Sequence, residues 1–365
     1  MNLALLIARF PPGVFGGAEI QAEGWARRLA DRHAVTVLTR RVDPGMPLEE
    51  ARDGFTVRRI PIARLPLVRA ALDVARTGQA IASLAPRPDL LLCFQTFVSG
   101  LAGVRAQQRT GIPAAVWVRG EDEYRAASPT TRLISVRVWD RARGVLVQSE
   151  GNRDRVIEAL ERVAPARAAG VAEKIAVVPN GLDLPAPPFT PGGRVLIVGR
   201  LIRDKGMDVA LDALAGLRAL VTVAGDGPER ARLEAQAAHH GLDARFEGNV
   251  GRPRLDSLYR EAACVVLASR RGEGLPNVLL EALAYARPVV ATPVSGVADV
   301  VSDGVNGLLV PPGDVGALRA ALARLFQERG LAERLGQGAR ATAERFGWER
   351  VRPALEEVLE RWRAR

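Results

Sequence analysis

Two acids and two bases in the second half of the chain have the types and spacing that act together on a phosphorylated substrate. Glu273 and Glu281 stand with seven residues between them in the stretch RGEGLPNVLLEALAYARPVVA, residues 271–291. Glu273 lies in a charged loop. Pro276 suits the first turn of a helix, where its missing N–H costs nothing, and Asn277 to Tyr285 reads as that helix. Glu281 then lies one turn in, on the face of Asn277 and Val278. Between the acids is a helix N-terminus, whose N–H groups favour an anion. Such a unit suits a ligand with a phosphate in the middle and a hydroxylated ring at each end, which is the shape of a nucleotide-sugar. Upstream, GRLIRDKG sets Arg200 and Lys205 in a loop after a strand. Arginine offers a fork to two oxygens and lysine a point charge. Only Lys174 and Lys205 are lysines among the 51 basic residues, so a lysine at 205 stands out. A bare pair of acids at this spacing is more often two solvated side chains flanking a helix; the neighbouring Gly274, Leu275 and Pro276, and the elements that carry them, reverse that weighting.

Those elements alternate as strand and helix. Leu3 to Ala8 is an unbroken apolar run suited to a parallel strand covered on both faces. The glycine-rich loop PPGVFGG follows, then an amphipathic helix over 18–32 and a strand over 34–39. Loop-to-helix junctions at the carboxyl end of a strand are where ligands bind in such folds. The glycines are spaced GxxGG, and Arg40 and Arg41 end the second strand where a dinucleotide site has an acid, so that fingerprint is a poor match. Further strands are expected at 57–60, 89–94, 114–118, 144–148 and 174–179. A helix is expected over 64–84 and another from the end of the 89–94 strand to Thr110, with Ser149 or Glu150 capping the helix after 148. The stretch LPAPPFTPGG, 184–193, is the best linker. Alternation then restarts, with strands at 195–198, 220–224, 245–248, 264–268, 289–291 and 307–310 and a helix from about Leu255. The fold class is α/β with two doubly wound halves.

Glu273-Gly-Leu-Pro with Glu281 resembles the E-x7-E motif of retaining, metal-independent glycosyltransferases of the GT-B fold, family 4 (glycosyl transferases group 1). The resemblance implies two facing Rossmann-like domains with an interdomain cleft. Residues 1–183 form the acceptor side, with a terminal helix over 349–365 packing back on it, and 184–348 bind the donor. Glu273 is implied to contact the donor sugar's hydroxyls and Glu281 to hold the ribose. Arg200 and Lys205 match the phosphate-binding pair. Gly274, Leu275, Pro276 and Asn277 belong with the donor, as do Asn249, Val250 and Arg252, which follow the FxG strand where relatives hold the base. Gly16, Gly17 and Glu19 match a GGAE-type loop that approaches the donor phosphates and borders the acceptor. Many relatives have a strand-terminal histidine before a glycine; here Arg119 precedes Gly120, and Arg119, Glu121 and Asp122 are acceptor-side candidates. Glu121-Asp122-Glu123 is not the DxD of metal-dependent transferases. The implied chemistry needs no metal and no cofactor: the acceptor hydroxyl attacks on the face the leaving phosphate departs from, with that phosphate as base. The resemblance covers nearly the whole chain and is strongest over 195–310. Nucleotide-sugar epimerases of the same fold, and a non-catalytic nucleotide-sugar-binding subunit, are the alternatives.

Composition agrees with an ordinary two-domain protein. The chain has 365 residues, 48% hydrophobic and 25% charged, enough for two cores. No apolar run reaches the length of a membrane helix, and MNLALLIARF reads as a buried strand, not a signal peptide. Cys93 and Cys264 lie in apolar runs and are expected to be reduced core residues, which fits a cytoplasmic protein. The histidines form no metal-spaced cluster, and His239–His240 reads as helix surface. The net charge is +10; residues 1–183 hold 26 basic and 19 acidic residues. That excess suits an anionic membrane or a lipid-linked or glycan acceptor. Nucleic acid is disfavoured, because the arginines are spread and not interleaved with aromatics.

Overall fold

Aliphatic runs without polar alternation, NLALL and LLLCF among them, become strands buried on both faces, as parallel sheets require. The structure, a computed structural model, describes all of residues 1–365 except 13–15, 63–68, 121, 123–125, 127, 187–191, 272–273 and 365. Glu273 and Glu121 therefore lie outside the described residues, as does the start of the helix expected from residue 64. The chain divides into two compact units, residues 1–181 with 348–365 and residues 182–347. The division falls at 181/182, two residues before the sequence-based boundary. Leu182 donates its N–H to Phe346 O at 3.0 Å and so belongs with the second unit.

The first unit opens with β1 (Asn2–Leu6), α1 (Gly17–Ala30), β2 (Ala34–Arg41), β3 (Glu49–Arg52) and β4 (Phe55–Pro61). It continues with α2 (Arg69–Ala82), β5 (Leu90–Phe94), α3 (Leu101–Thr110), β6 (Ala114–Trp117) and α4 (Pro129–Arg141). β7 (Gly144–Val147), α5 (Glu150–Val163), α6 (Pro165–Ala172) and β8 (Ile175–Val177) complete it. The sheet order is β3-β4-β2-β1-β5-β6-β7-β8, parallel except for the β3–β4 pair. β3 was not legible: EEAR is charged and forms a strand only by pairing with β4. Ser149 caps α5, accepting from Asn152 N at 3.2 Å.

The segment between β5 and α3 is not the simple helix expected. Thr96–Gly100 forms a wide turn in which Phe97 and Val98 leave helical geometry, and Gln95 and Val98 take positive φ of 80° and 57°. β-branched residues rarely adopt such a φ. The turn is held from outside by Asp122, described below.

In the second unit, β9 (Arg194–Val198), α7 (Met207–Leu214), β10 (Leu220–Ala224), α8 (Arg230–His239) and β11 (Asp243–Gly248) come first. α9 (Arg252–Glu261), β12 (Ala262–Leu267), α10 (Asn277–Ala284), β13 (Val289–Ala291) and β14 (Gly307–Leu309) follow. α11 (Val315–Gln327) and α12 (Leu331–Ala343) close it. Its sheet is ordered β11-β10-β9-β12-β13-β14. Asp314 caps α11 through Ala317 N at 2.8 Å. Both cysteines are buried and unpaired. His240 departs from the expected surface pair: it meets Asp212 at 2.7 Å.

The last helix, α13 (Trp348–Ala364), belongs to the first unit. Trp348 stands edge-on to Trp25, ring centroids 4.9 Å apart. Glycines make the room: a Cβ on Gly181 would lie 2.3 Å from the Trp348 ring, and one on Gly144 2.1 Å from Trp362. Trp348 is 7% exposed. Trp348→Ala is expected to lower unfolding free energy by about 3–5 kcal/mol, as truncating a buried aromatic does. Urea unfolding followed by tryptophan fluorescence checks this; a loss below about 1 kcal/mol contradicts a core role. Among the described residues no helix is long and apolar enough to cross a membrane.

Candidate functional site

In each sheet the strand order reverses beside the first strand, between β1 and β5 in one unit and between β9 and β12 in the other. Ligands of open α/β sheets bind outside the carboxyl ends of the strands at such reversals. Three of the loops singled out from the sequence follow β1, β9 and β12, at these reversals; the segments at Arg119, Gly225 and Asn249 follow β6, β10 and β11.

In the second unit the loop after β9 carries Arg200, which is exposed, and a short turn, Arg203–Lys205, that leaves Lys205 half-buried. This loop is clamped to the end of β12. Arg270 donates to both carboxylate oxygens of Asp208, at 2.7 and 2.8 Å, and to Arg203 O at 2.8 Å. Its own N–H reaches Asp204 O at 2.8 Å. Burial would raise the Asp208 pKa, but the Arg270 fork and Arg232 outweigh it and hold the carboxyl below its usual value. Gly206 takes φ of 62°, and a Cβ there would stand 1.9 Å from Ala268 O, so only glycine lets the two loops touch. The GDGP loop joins them: Leu201 N donates to Asp226 O at 2.9 Å and Glu229 N to Leu201 O at 3.0 Å. Neither Arg270 nor Asp208 was singled out from sequence; their partnership spans 62 positions and has no local signature.

After β12, Gly274 and Leu275 are buried and lead into α10. Leu275 packs its side chain in the core. Pro276 is the N-cap residue of α10, one position before the first turn expected for it, and Asn277 opens the helix. Asn249 is exposed after β11, while Val250 packs against the core. Arg252 is the first residue of α9, which starts three residues earlier than expected. Its Nη1 donates to Glu281 Oε1 at 2.6 Å, and Tyr259 Oη donates to Glu281 Oε2 at 2.8 Å. Desolvation opposes the charge on Arg252, but Glu281 and Asp256 outweigh it and raise its pKa. Two residues named from sequence as parts of one site, Arg252 and Glu281, thus touch. Tyr259 was missed, although its place two turns along the same helix face as Arg252 was readable once the helix start was known.

In the first unit, Gly16 is the N-cap of α1, Gly17 its first residue, and Glu19 lies in the first turn. The Glu19 carboxylate folds back so far that a Cβ on Gly16 would stand 2.0 Å from Oε2. Arg119, just past β6, is 4% exposed, with its guanidinium over the rings of Phe94 and Trp117 at 5.6 and 5.3 Å. Burial lowers its pKa to about 10, against the pull of Asp122 and Glu19, so it stays charged at neutral pH. Its Nη1 meets no hydrogen-bond acceptor among the described residues. Asp122 turns inward: both oxygens accept from Thr96 N at 3.0 Å, and Oδ2 from Arg119 N at 3.0 Å. A carboxylate so engaged holds the Thr96–Gly100 turn and the end of β6; the sequence alone left its acceptor-side and structural readings open. Lys174 is likewise occupied, donating to Asp140 O at 2.5 Å and Ala142 O at 2.8 Å at the end of α4. Among the described residues no group of three or more His, Cys, Asp or Glu side chains is placed to hold a metal ion.

The chain matches the family described as Glycosyl transferases group 1 over residues 188–342, and the Glycosyl transferase 4-like domain over 16–181. It is 30% identical to a D-inositol 3-phosphate glycosyltransferase of Saccharomonospora viridis, over 94% of this chain and 88% of that one. The chain belongs to the group 1 glycosyl transferases. It is accordingly a transferase enzyme. Solved structures agree on the fold. Sucrose-phosphate synthase from Thermosynechococcus elongatus superposes with a TM-score of 0.84 at 23% identity, over 100% of this chain and 99% of that one. HepE of Anabaena, solved in complex with UDP-glucose, gives 0.78 at 22% identity, over 100% of each chain. This glycosyltransferase therefore has the GT-B fold of two Rossmann-like α/β domains.

Proposed function

We propose that this glycosyltransferase moves a hexose from a nucleoside diphosphate sugar to a glycan, lipid-linked or other cell-envelope acceptor, with retention and without a metal. The observation that supports the reading is the clamping of the backbone that carries Arg200 and Lys205 to the end of β12. Breaking the anomeric C–O bond leaves charge on a diphosphate, and preorganised cations stabilise that charge as it develops. Arg200 and Lys205 take this role. Glu273 holds sugar hydroxyls and Glu281 the ribose, with Gly274 to Asn277 presenting backbone to the phosphates and Asn249 to Arg252 bordering the base. The acceptor oxygen bonds to the anomeric carbon on the face the diphosphate leaves, and its proton passes to the departing phosphate oxygen. Gly16 and Gly17 approach the donor phosphates, and Glu19, Arg119, Glu121 and Asp122 border the acceptor. The positive excess of residues 1–183 supports an anionic membrane or lipid-linked acceptor on the cytoplasmic side. HepE's complex with UDP-glucose supports a UDP-sugar as the first donor to try.

The test is a transfer assay with UDP-glucose, GDP-mannose and ADP-glucose, with and without a cell-envelope glycolipid extract, in EDTA. Turnover is expected to require the extract, to survive EDTA and to retain the anomeric configuration by NMR. Activity abolished by EDTA and restored by Mg²⁺ or Mn²⁺ overturns the metal-free part. Conversion of donor to an epimer without extract overturns the transfer itself.

A further inference from the structure

Glu281 is held in a closed circuit of side chains. Arg252 Nη1 donates to Oε1 at 2.6 Å, and Arg252 Nε pairs with Asp256 Oδ1 at 2.8 Å one turn along α9. Asp256 accepts from the Tyr285 hydroxyl. Tyr285 stacks on Tyr259, with centroids 5.4 Å apart and planes 11° from parallel. Tyr259 returns to Glu281 Oε2 at 2.8 Å. Tyr259 is 0% exposed, so its hydroxyl has no water to turn to if Glu281 moves away. Burial, with Glu281 beside it, raises the Tyr259 pKa well above the usual value, so it stays a donor.

We infer that Tyr259, with Arg252, is a positioning residue through which Glu281 distinguishes ribose from deoxyribose in the donor nucleotide. The inference rests on the reading of Glu281 as the ribose contact. The Glu281 side chain is 12% exposed, and its carboxylate can meet a diol only in some orientations. Tying one oxygen from each side selects one orientation. Each oxygen keeps a further lone-pair direction for a ligand hydroxyl, so the anchors leave acceptor capacity and remove freedom. Preorganisation of this kind strengthens binding by cutting the ordering cost. It does so only for a ligand that has the hydroxyl to donate.

The experiment is calorimetry with UDP, GDP and ADP, then with the 2′-deoxy form of whichever binds tightest, on wild type, Tyr259→Phe and Arg252→Gln. Wild type is expected to prefer the ribonucleotide by about 10- to 100-fold, as for a hydrogen bond to a charged group. Tyr259→Phe removes one oxygen from a close-packed site, and Arg252→Gln changes a half-exposed side chain, so one or both will fold, which thermal melting verifies. In a folded variant the ribose preference is expected to fall at least about fivefold. Should both nucleotides weaken equally in both variants, with the preference intact, the circuit only braces α9 on α10 and the inference is wrong. Should wild type show no ribose preference, or bind none of the three, the reading of Glu281 itself fails, and this inference with it.

Discussion

Lys205→Ala lowers kcat by ~10²–10³, the usual effect of deleting one charge-stabilising group at a leaving group. The expectation follows from where the lysine is held. Its loop is closed by Gly206 against Ala268 O and tied by Arg270 to Asp208, Arg203 O and Asp204 O. A cation on such a base needs little reorganisation as charge develops. Lys174 is the natural control, being the only other lysine. It serves the carbonyls at the end of α4, so Lys174→Ala should lower melting temperature and leave kcat within about threefold, well short of the loss of a charge-stabilising donor. Single-turnover kinetics of both variants with saturating donor decide the matter. Equal and small effects would make Lys205 a surface lysine and remove the main support for metal-free chemistry.

Glu273→Gln and Glu281→Gln should separate rate from affinity. Glu273, before α10, is assigned to the sugar, where hydroxyl contacts set the anomeric carbon. Its amide should lower the rate constant by ~10²-fold or more, while the free nucleoside diphosphate still binds well. Losing an interaction that matters chiefly in the transition state has that signature. Glu281 is assigned to the ribose, remote from bond breaking. Its amide should weaken nucleoside diphosphate and nucleotide-sugar alike, by about tenfold or more, since a contact made equally in ground and transition states acts on affinity. The amide also loses the charge that Arg252 faces at 2.6 Å, which adds to the loss of affinity. Calorimetry with the bare diphosphate beside single-turnover rates gives the answer. If Glu273→Gln abolishes diphosphate binding and Glu281→Gln spares it, the two ends of the donor are reversed.

How much of this was legible in the sequence depends on the range of the interaction. Strands such as LLLCF and VVA were readable because burial on both faces leaves an unbroken apolar run. The cap at Ser149 was readable because it acts within three residues. The same holds for the glycine loop before α1 and for the spacing of Glu273 and Glu281, from which the family resemblance followed. What acts across the chain was not readable. EEAR became β3 only because β4 was there to pair with it. Thr96–Gly100 left helical geometry because Asp122, 26 positions on, takes up the N–H of Thr96. That same contact engages both oxygens of Asp122, where the sequence alone left acceptor-side and structural readings open. The hold of Arg270 on Asp208 and of Tyr259 on Glu281 joins elements 62 and 22 positions apart. Local sequence thus determined which residue types stand at the strand ends. Only tertiary packing decided which of them are already engaged by the protein, because a hydrogen bond's partner is chosen by distance in space and leaves no periodic trace along the chain.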